Sequence, residues 1–169
     1  MEKWDAYTAD GRRTGRILTR GEPIPDGLYH LACDVLVRHE DGSYLCMKRA
    51  AKKTNYGGWY EATAGGAALL GEEPLDCAKR ELLEETGIRS GSFTELKRLI
   101  SAESHSIFYV YLCTVDCDRS AIQLQPGETE DYVWMDERDF ADFVRNGQMI
   151  PTQKKRYLDY FVACGYLNE

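Results

Sequence analysis

The sequence predicts an α/β fold: a mixed β-sheet with helices on its faces and a short hairpin ahead of it. Three observations carry that expectation. Strand-like runs are separated by turn signals such as Asp10-Gly11 and Asp41-Gly42. Helical patterns fall among the strands without the regular β-α-β alternation of a wholly parallel sheet. The chain has 169 residues, the length of one domain with a single core, and contains no internal repeat, low-complexity tract or linker.

The elements follow in order. Trp4–Tyr7 and Arg16–Thr19 flank Ala9-Asp10-Gly11 as a hairpin, and residues 21–27, rich in proline and glycine, form a loop. Strands are expected at Leu28–Val37, at Tyr44–Lys48 and at Trp59–Ala64, the last running into a Gly65-Gly66 turn. Pro74–Thr86 is the clearest helix. Proline suits a first turn, where its missing N–H would have had no partner, and Gly87 can take the left-handed C-cap. Leu75, Ala78 and Leu82 make its apolar stripe. Phe93–Ile100, Ile107–Val115 and Tyr132–Met135 are strands. Asp136 caps a helix that carries Phe140, Phe143 and Val144 and closes at Asn146-Gly147. One last helix spans about Thr152 to Cys164, with Tyr157, Leu158, Phe161 and Val162 on one side.

Composition excludes several function classes. Lys and Arg number 21 against 28 Asp and Glu, a net charge of −7, so no broad basic face is expected for a nucleic-acid polymer. The longest apolar run, Ile107–Cys113, is far too short to cross a bilayer. The N-terminus MEKWDAYTAD lacks the apolar stretch of a secretory signal, and a cytoplasmic protein is the expectation. The six cysteines are irregularly spaced, without Cys-x-x-Cys, and are expected to be reduced. His30, His39 and His105 have no ligand spacing for zinc.

The informative segment is GGAALLGEEPLDCAKRELLEETGI, residues 65–88. Glu81, Glu84 and Glu85 stand at i, i+3 and i+4 and project within about 100° of arc, opposite part of the Leu75/Leu82 stripe. Three like charges on one helix face repel, and they crowd its last turns, where the macrodipole disfavours anions. Oxygen-rich clusters of this kind are what Mg²⁺ or Mn²⁺ prefers. The competing reading is a solvated acidic face, tempered by an Arg80–Glu84 pair.

Gly66, Glu72, Arg80-Glu81-Leu82, Glu84-Glu85 and Gly87-Ile88 follow the spacing G-x5-E-x7-R-E-U-x-E-E-x-G-U, with U apolar. The segment thereby resembles the complete signature of the Nudix hydrolases. The resemblance implies a Nudix-type α/β/α sandwich over residues 1–169, with 1–27 as an N-terminal extension and 66–88 as a loop–helix–loop that binds Mg²⁺ or Mn²⁺. It implies hydrolysis of a diphosphate linkage in a small phosphorylated metabolite. By motif position, Glu81, Glu84, Glu85 and the Gly66 carbonyl would hold metal, Arg80 would orient the glutamates, and Glu72 would brace the loop. A looser similarity links Gly15-Arg16, Arg20-Gly21, Tyr29-His30-Leu31, Lys48-Arg49, Lys53 and Trp59 to the Nudix branch near isopentenyl-diphosphate isomerase.

That branch raises a rival function, isoprenoid diphosphate isomerisation. The isomerases place a catalytic cysteine in the strand entering the motif, where this chain has Glu61-Ala62-Thr63-Ala64, so hydrolysis is the expectation. A catalytically silent ligand sensor is the third reading, disfavoured by the intact glutamates. Arg49, Lys52 and Lys53 are candidate phosphate contacts, and Tyr56, Trp59 or Tyr60 could stack on a base. The resemblance implies that the general base would be Glu128, in the acidic stretch before the strand ending Val133-Trp134-Met135, or Glu81 within the motif. A homodimer through the hairpin edge is a further expectation.

Overall fold

In the computed structural model, which describes residues 1–169, β1 (Lys3–Tyr7) and β2 (Arg13–Thr19) pair antiparallel as the N-terminal hairpin. Trp4, Ala6 and Leu18 form its apolar seam, packed on Ile24, Leu28 and Ala67. Tyr7 exchanges two backbone hydrogen bonds with Tyr29, which docks the hairpin just ahead of the main sheet.

That sheet contains β3 (His30–His39), β4 (Tyr44–Arg49), β5 (Tyr60–Glu61), β6 (Thr63–Ala67), β7 (Ser92–Ser101), β8 (Ser106–Val115) and β9 (Thr129–Met135). The order is β5-β4-β3-β8-β7, with β6 also on β3 and β9 also on β4. Only β3 and β8 run parallel. On its other edge β3 pairs with β6 from Ala32 to Leu36, then meets β4 at Arg38–Tyr44 alone. Two groups of strands thus share one edge of β3 at different levels, and the sheet splays between them.

Side-chain alternation along β3 separates two cores. Cys33, Val35 and Val37 pack with Cys77, Ala78 and Leu82 of α1 (Pro74–Thr86). Leu36 faces the other way, into a cluster with Phe140, Phe143 and Val144 of α2 (Glu137–Arg145) and with Tyr157 and Phe161. Helices on both faces of a mixed sheet make the α/β/α sandwich expected. Gly87 closes α1 at φ 78° with its N–H on Leu83, and Asp136 caps α2 by accepting from the Asp139 N–H.

Three local expectations are corrected. Gly65 and Gly66 are not a turn: they continue β6, paired with Asp34 and Cys33, while Trp59 lies outside the strands. The C-terminal helix is broken into α3 (Pro151–Arg156) and α4 (Leu158–Ala163) at Tyr157, whose buried ring donates its hydroxyl to the Tyr111 carbonyl at 2.8 Å. The break turns Leu158 outward. Leu75 shares the azimuth of Leu82, but in the first turn of α1 it is exposed and lines a groove beside Tyr7 and Tyr109. At the far end, the Tyr44 hydroxyl meets those of Tyr160 at 2.7 Å and Tyr166 at 3.0 Å, and Tyr166 donates to Glu137 at 2.8 Å. No helix is long and apolar enough to cross a membrane.

Candidate active site

The splay of the sheet opens a cleft of about 720 Å³. Gly65, Gly66, Arg80, Glu81, Glu84 and Glu85 form one wall. Arg49, Lys53, Glu61 and Glu128 form the other, and the lining is overwhelmingly polar.

The acidic wall differs from the helical-wheel expectation. Glu81 and Glu85 lie on the inward arc of α1, flanked by the buried Cys77, Ala78 and Leu82, and only Glu84 is turned to solvent. The inward carboxylates are accommodated because β6 presents glycine. A Cβ on Gly66 would stand 2.5–2.9 Å from the Glu81 carboxyl atoms, and one on Gly65 would collide with the Cys33 carbonyl and lie 2.7 Å from Asp34 Oδ1. Bare backbone is therefore a steric condition of the site.

Arg80 organises the wall. Its Nε and Nη2 donate to the two Glu72 oxygens at 2.8 and 2.9 Å, and Nη1 donates to Glu81 at 2.8 Å and to Glu84 at 3.3 Å. Nη2 also reaches the Ala67 carbonyl at 3.0 Å, and Glu72 accepts the Leu69 N–H at 2.9 Å, tying the loop to the helix. Burial pushes the Glu72 carboxyl up, but the Arg80 hydrogen bonds and the Leu69 N–H outweigh it and hold it below its ordinary range. For Glu81 burial wins over Arg80 and the pKa is raised. Glu85 is raised furthest, by burial and then by the charges of Glu81, Glu61 and Asp34, against one backbone contact from Gly65.

No three acidic, histidine or cysteine side chains are drawn to ligating separations around one point. The donor set nevertheless fits a hard divalent cation. It is all oxygen, it includes a half-buried carboxylate crowded by like charges, and Glu85 has no side-chain hydrogen-bond partner of opposite charge. Glu81, Glu84, Glu85 and the Gly66 carbonyl are the groups that would hold Mg²⁺ or Mn²⁺.

Across the cleft each acid has its own cation. Arg49 bonds Glu61 and the Asn55 carbonyl, Lys53 bonds Glu128, and Arg156 bonds Asp34 at 2.5 Å. Burial raises Glu61 and Asp34 despite these partners, whereas the Lys53 hydrogen bond lowers the half-exposed Glu128. The segment around Glu128 is pinned, its carbonyl accepting the Ala50 N–H at 2.8 Å and its N–H bonding Gln125 at 3.0 Å. The acidic stretch expected as a loop enters β9 at Thr129.

Of the residues singled out from sequence, Gly66, Arg80, Glu81, Glu84, Glu85, Arg49, Lys53 and Glu128 converge on this cleft. Tyr56 and Trp59 do not; they pack edge to face on each other, with centroids 5.1 Å apart, outside its lining. Asp34, Gln153 and Arg156 carry no signal in the sequence because their partners are remote: Arg156 and Asp34 are separated by 122 positions, and Gln153 and Ala62 by 91. Glu61, 12 positions from Arg49, belongs to no recognisable motif. The alternation of β3 could have drawn notice to Asp34, a lone acid between Cys33 and Val35.

The sandwich sets an acidic helix against a glycine strand across one cleft. The chain belongs to the Nudix family: the NUDIX domain model matches residues 28–158. It is 31% identical over 152 residues to lmo0368 of Listeria monocytogenes, an uncharacterized Nudix hydrolase, covering 89% of each chain. It is also 29% identical over 92 residues to the isopentenyl-diphosphate Delta-isomerase of Halobacterium salinarum, covering 54% of this chain and 43% of that one. Among solved structures, DR0079 of Deinococcus radiodurans superposes with a TM-score of 0.70 at 17% identity, covering 92% of this chain and 96% of that one. The NUDIX domain of Shewanella oneidensis NrtR, solved with ADP ribose, gives 0.53 at 18% identity, covering 66% and 75%.

Proposed function

We propose that this Nudix hydrolase cleaves a diphosphate linkage in a small phosphorylated metabolite whose remaining part is polar, acting in the cytoplasm with Mg²⁺ or Mn²⁺. The observation that carries the reading is the pairing of one under-neutralised carboxylate wall with a facing wall that bears Arg49, Lys53 and Arg156. The metal, when bound, supplies Lewis-acid stabilisation of charge on phosphoryl oxygens. Arg80 keeps Glu81 and Glu84 in place, and Glu72 keeps Arg80 in place. Glu81, fixed on a helix, is the group that takes a proton from the attacking water. Glu128 would first have to leave Lys53 to do so.

The isomerase reading is weaker. A prenyl chain needs apolar contacts that this lining does not provide. The one cysteine at the cleft, Cys33, has its thiol 3.2 Å from Cys77 in the α1 core, and the Cys77 hydrogen bond and burial keep it protonated. Binding of ADP ribose by the NrtR domain supports a small phosphorylated ligand of the polar kind. The β2 edge of the hairpin, with Ile17 exposed, is the surface proposed for a homodimer, tested by light scattering after size exclusion.

Product release from nucleotide sugars, dinucleoside polyphosphates, nucleoside triphosphates and prenyl diphosphates, with and without Mg²⁺, tests the function. Metal-dependent cleavage of a polar diphosphate is expected. Isomerisation of isopentenyl diphosphate, or a thermal shift with no turnover of any compound, would replace the hydrolase reading with the isomerase or the sensor.

A further inference from the structure

The C-terminal helices bring to the cleft a cation that the acidic motif does not account for. Arg156, at the end of α3, is held at one edge by the buried Asp34 carboxylate, 2.5 Å from Nη1. Its guanidinium carbon lies 3.8 Å from the centroid of the Phe108 ring. The plane of the group is thus fixed by a carboxylate and an aromatic face. No other hydrogen bond ties the guanidinium to the protein, and its side chain keeps 20% exposure where it lines the cleft. Gln153, one turn earlier on the same helix, accepts the Ala62 N–H on Oε1 at 3.1 Å, and its amide nitrogen has no protein acceptor. It too lines the cleft.

The glycine strand connects this corner to the glutamates. Successive residues of a strand face opposite sides, and a Cβ on Gly65 would meet Asp34 whereas one on Gly66 would meet Glu81. The β6 edge, unpaired on its cleft side, is therefore flanked by the Asp34–Arg156 pair on one face and by the acidic helix on the other. Two linked phosphoryl groups laid across a strand edge without side chains can touch both.

We propose that Arg156 and Gln153 form a subsite for a phosphoryl group of the substrate, across the β6 edge from the metal-binding glutamates. The proposal rests on the diphosphate reading above. A fixed guanidinium with free N–H donors matches a pair of phosphoryl oxygens, and the Gln153 amide adds a donor from the same helix face. Neutralising Asp34 alone would require neither.

Calorimetric titration of methylenediphosphonate, with and without Mg²⁺, tests this. Arg156→Lys keeps the charge but loses the planar fork; Asp34→Asn with Arg156→Gln removes both charges, so no buried carboxylate is stranded. Both are expected to weaken binding by roughly 10–100-fold, also in the absence of metal, while the double variant melts within a few degrees of the wild type. Gln153→Glu keeps the acceptor for Ala62 and should weaken binding as well. If the wild type binds and the Arg156 variants bind within twofold of it, Arg156 serves only Asp34 and the proposal is wrong. If the double variant is unfolded, Arg156→Lys decides alone. If the wild type itself does not bind, the diphosphate reading falls first and takes this subsite with it.

Discussion

The two walls of the cleft handle negative charge in opposite ways. On the facing wall every acid is matched to one cation: Glu61 to Arg49, Glu128 to Lys53, Asp34 to Arg156. On the α1 wall a single arginine serves Glu72, Glu81 and Glu84, and Glu85 is left to the backbone. The first arrangement is electrostatically closed. The second remains short of positive charge, and that shortage is what a divalent cation would relieve.

Removing a carboxylate from the under-neutralised wall should have the largest effect. Glu85→Gln is expected to lower turnover by about 10³-fold, the several kcal/mol that a Lewis-acid metal supplies, while the metal-free protein melts at the same temperature or higher. Near-normal turnover, measured beside the melting curve, would refute the metal assignment. Arg80→Met attacks the same wall from the other side. It strands Glu72 and Glu81, and a loss of about 2–4 kcal/mol with a fall in Tm of roughly 5–15 °C is expected by calorimetry, partly restored by Arg80→Lys.

A smaller effect is expected on the closed wall. Glu128→Gln should leave kcat within about fivefold, because its carboxylate is engaged by Lys53. A drop of ~10²–10⁴-fold, together with loss of the acidic limb of the pH–rate profile, would move the base from Glu81 to this segment. The smallest change lies where the hairpin meets the sheet. His30 stacks on Trp4 with centroids 4.3 Å apart, and burial lowers its pKa from 6.5. The unfolded chain takes up the proton near 6.5 and the folded one resists it, so this contribution is full above that pH and is lost as pH falls toward the folded value. A difference of about 1 kcal/mol or less is expected between pH 7.5 and 5.5, and His30→Gln should show a smaller acid-induced drop in Tm.

The same contrast explains what the sequence could disclose. The α1 wall is legible because its groups are close in sequence: Glu72 lies just ahead of the helix that carries Arg80, Glu81, Glu84 and Glu85, so together they fall within the one signature that the chain resembles. Their inward orientation was not legible, because helical periodicity assigns a face by apolar residues and cannot register that Gly65 and Gly66 make room for carboxylates among them. The closed wall is built from pairs that only the sheet brings together, Lys53 with Glu128 and Asp34 with Arg156. The break in the C-terminal helix is hidden in the sequence for a related reason: Tyr157 fits a helical pattern locally, but its hydroxyl is claimed by the Tyr111 carbonyl on the sheet.

The three tyrosine hydroxyls at the far end of the molecule acquire a role from this arrangement. Tyr160 of α4 and Tyr166 just after it bond to Tyr44, and α4 follows, across the break at Tyr157, directly on the helix that carries Gln153 and Arg156. The NUDIX domain match ends at residue 158, before either tyrosine. A protein trimmed to that boundary would retain every residue of the cleft in its sequence and yet lose the fastening that sets one corner of it in position. The residues after 158 thus bear on the placement of that corner without lining the cleft.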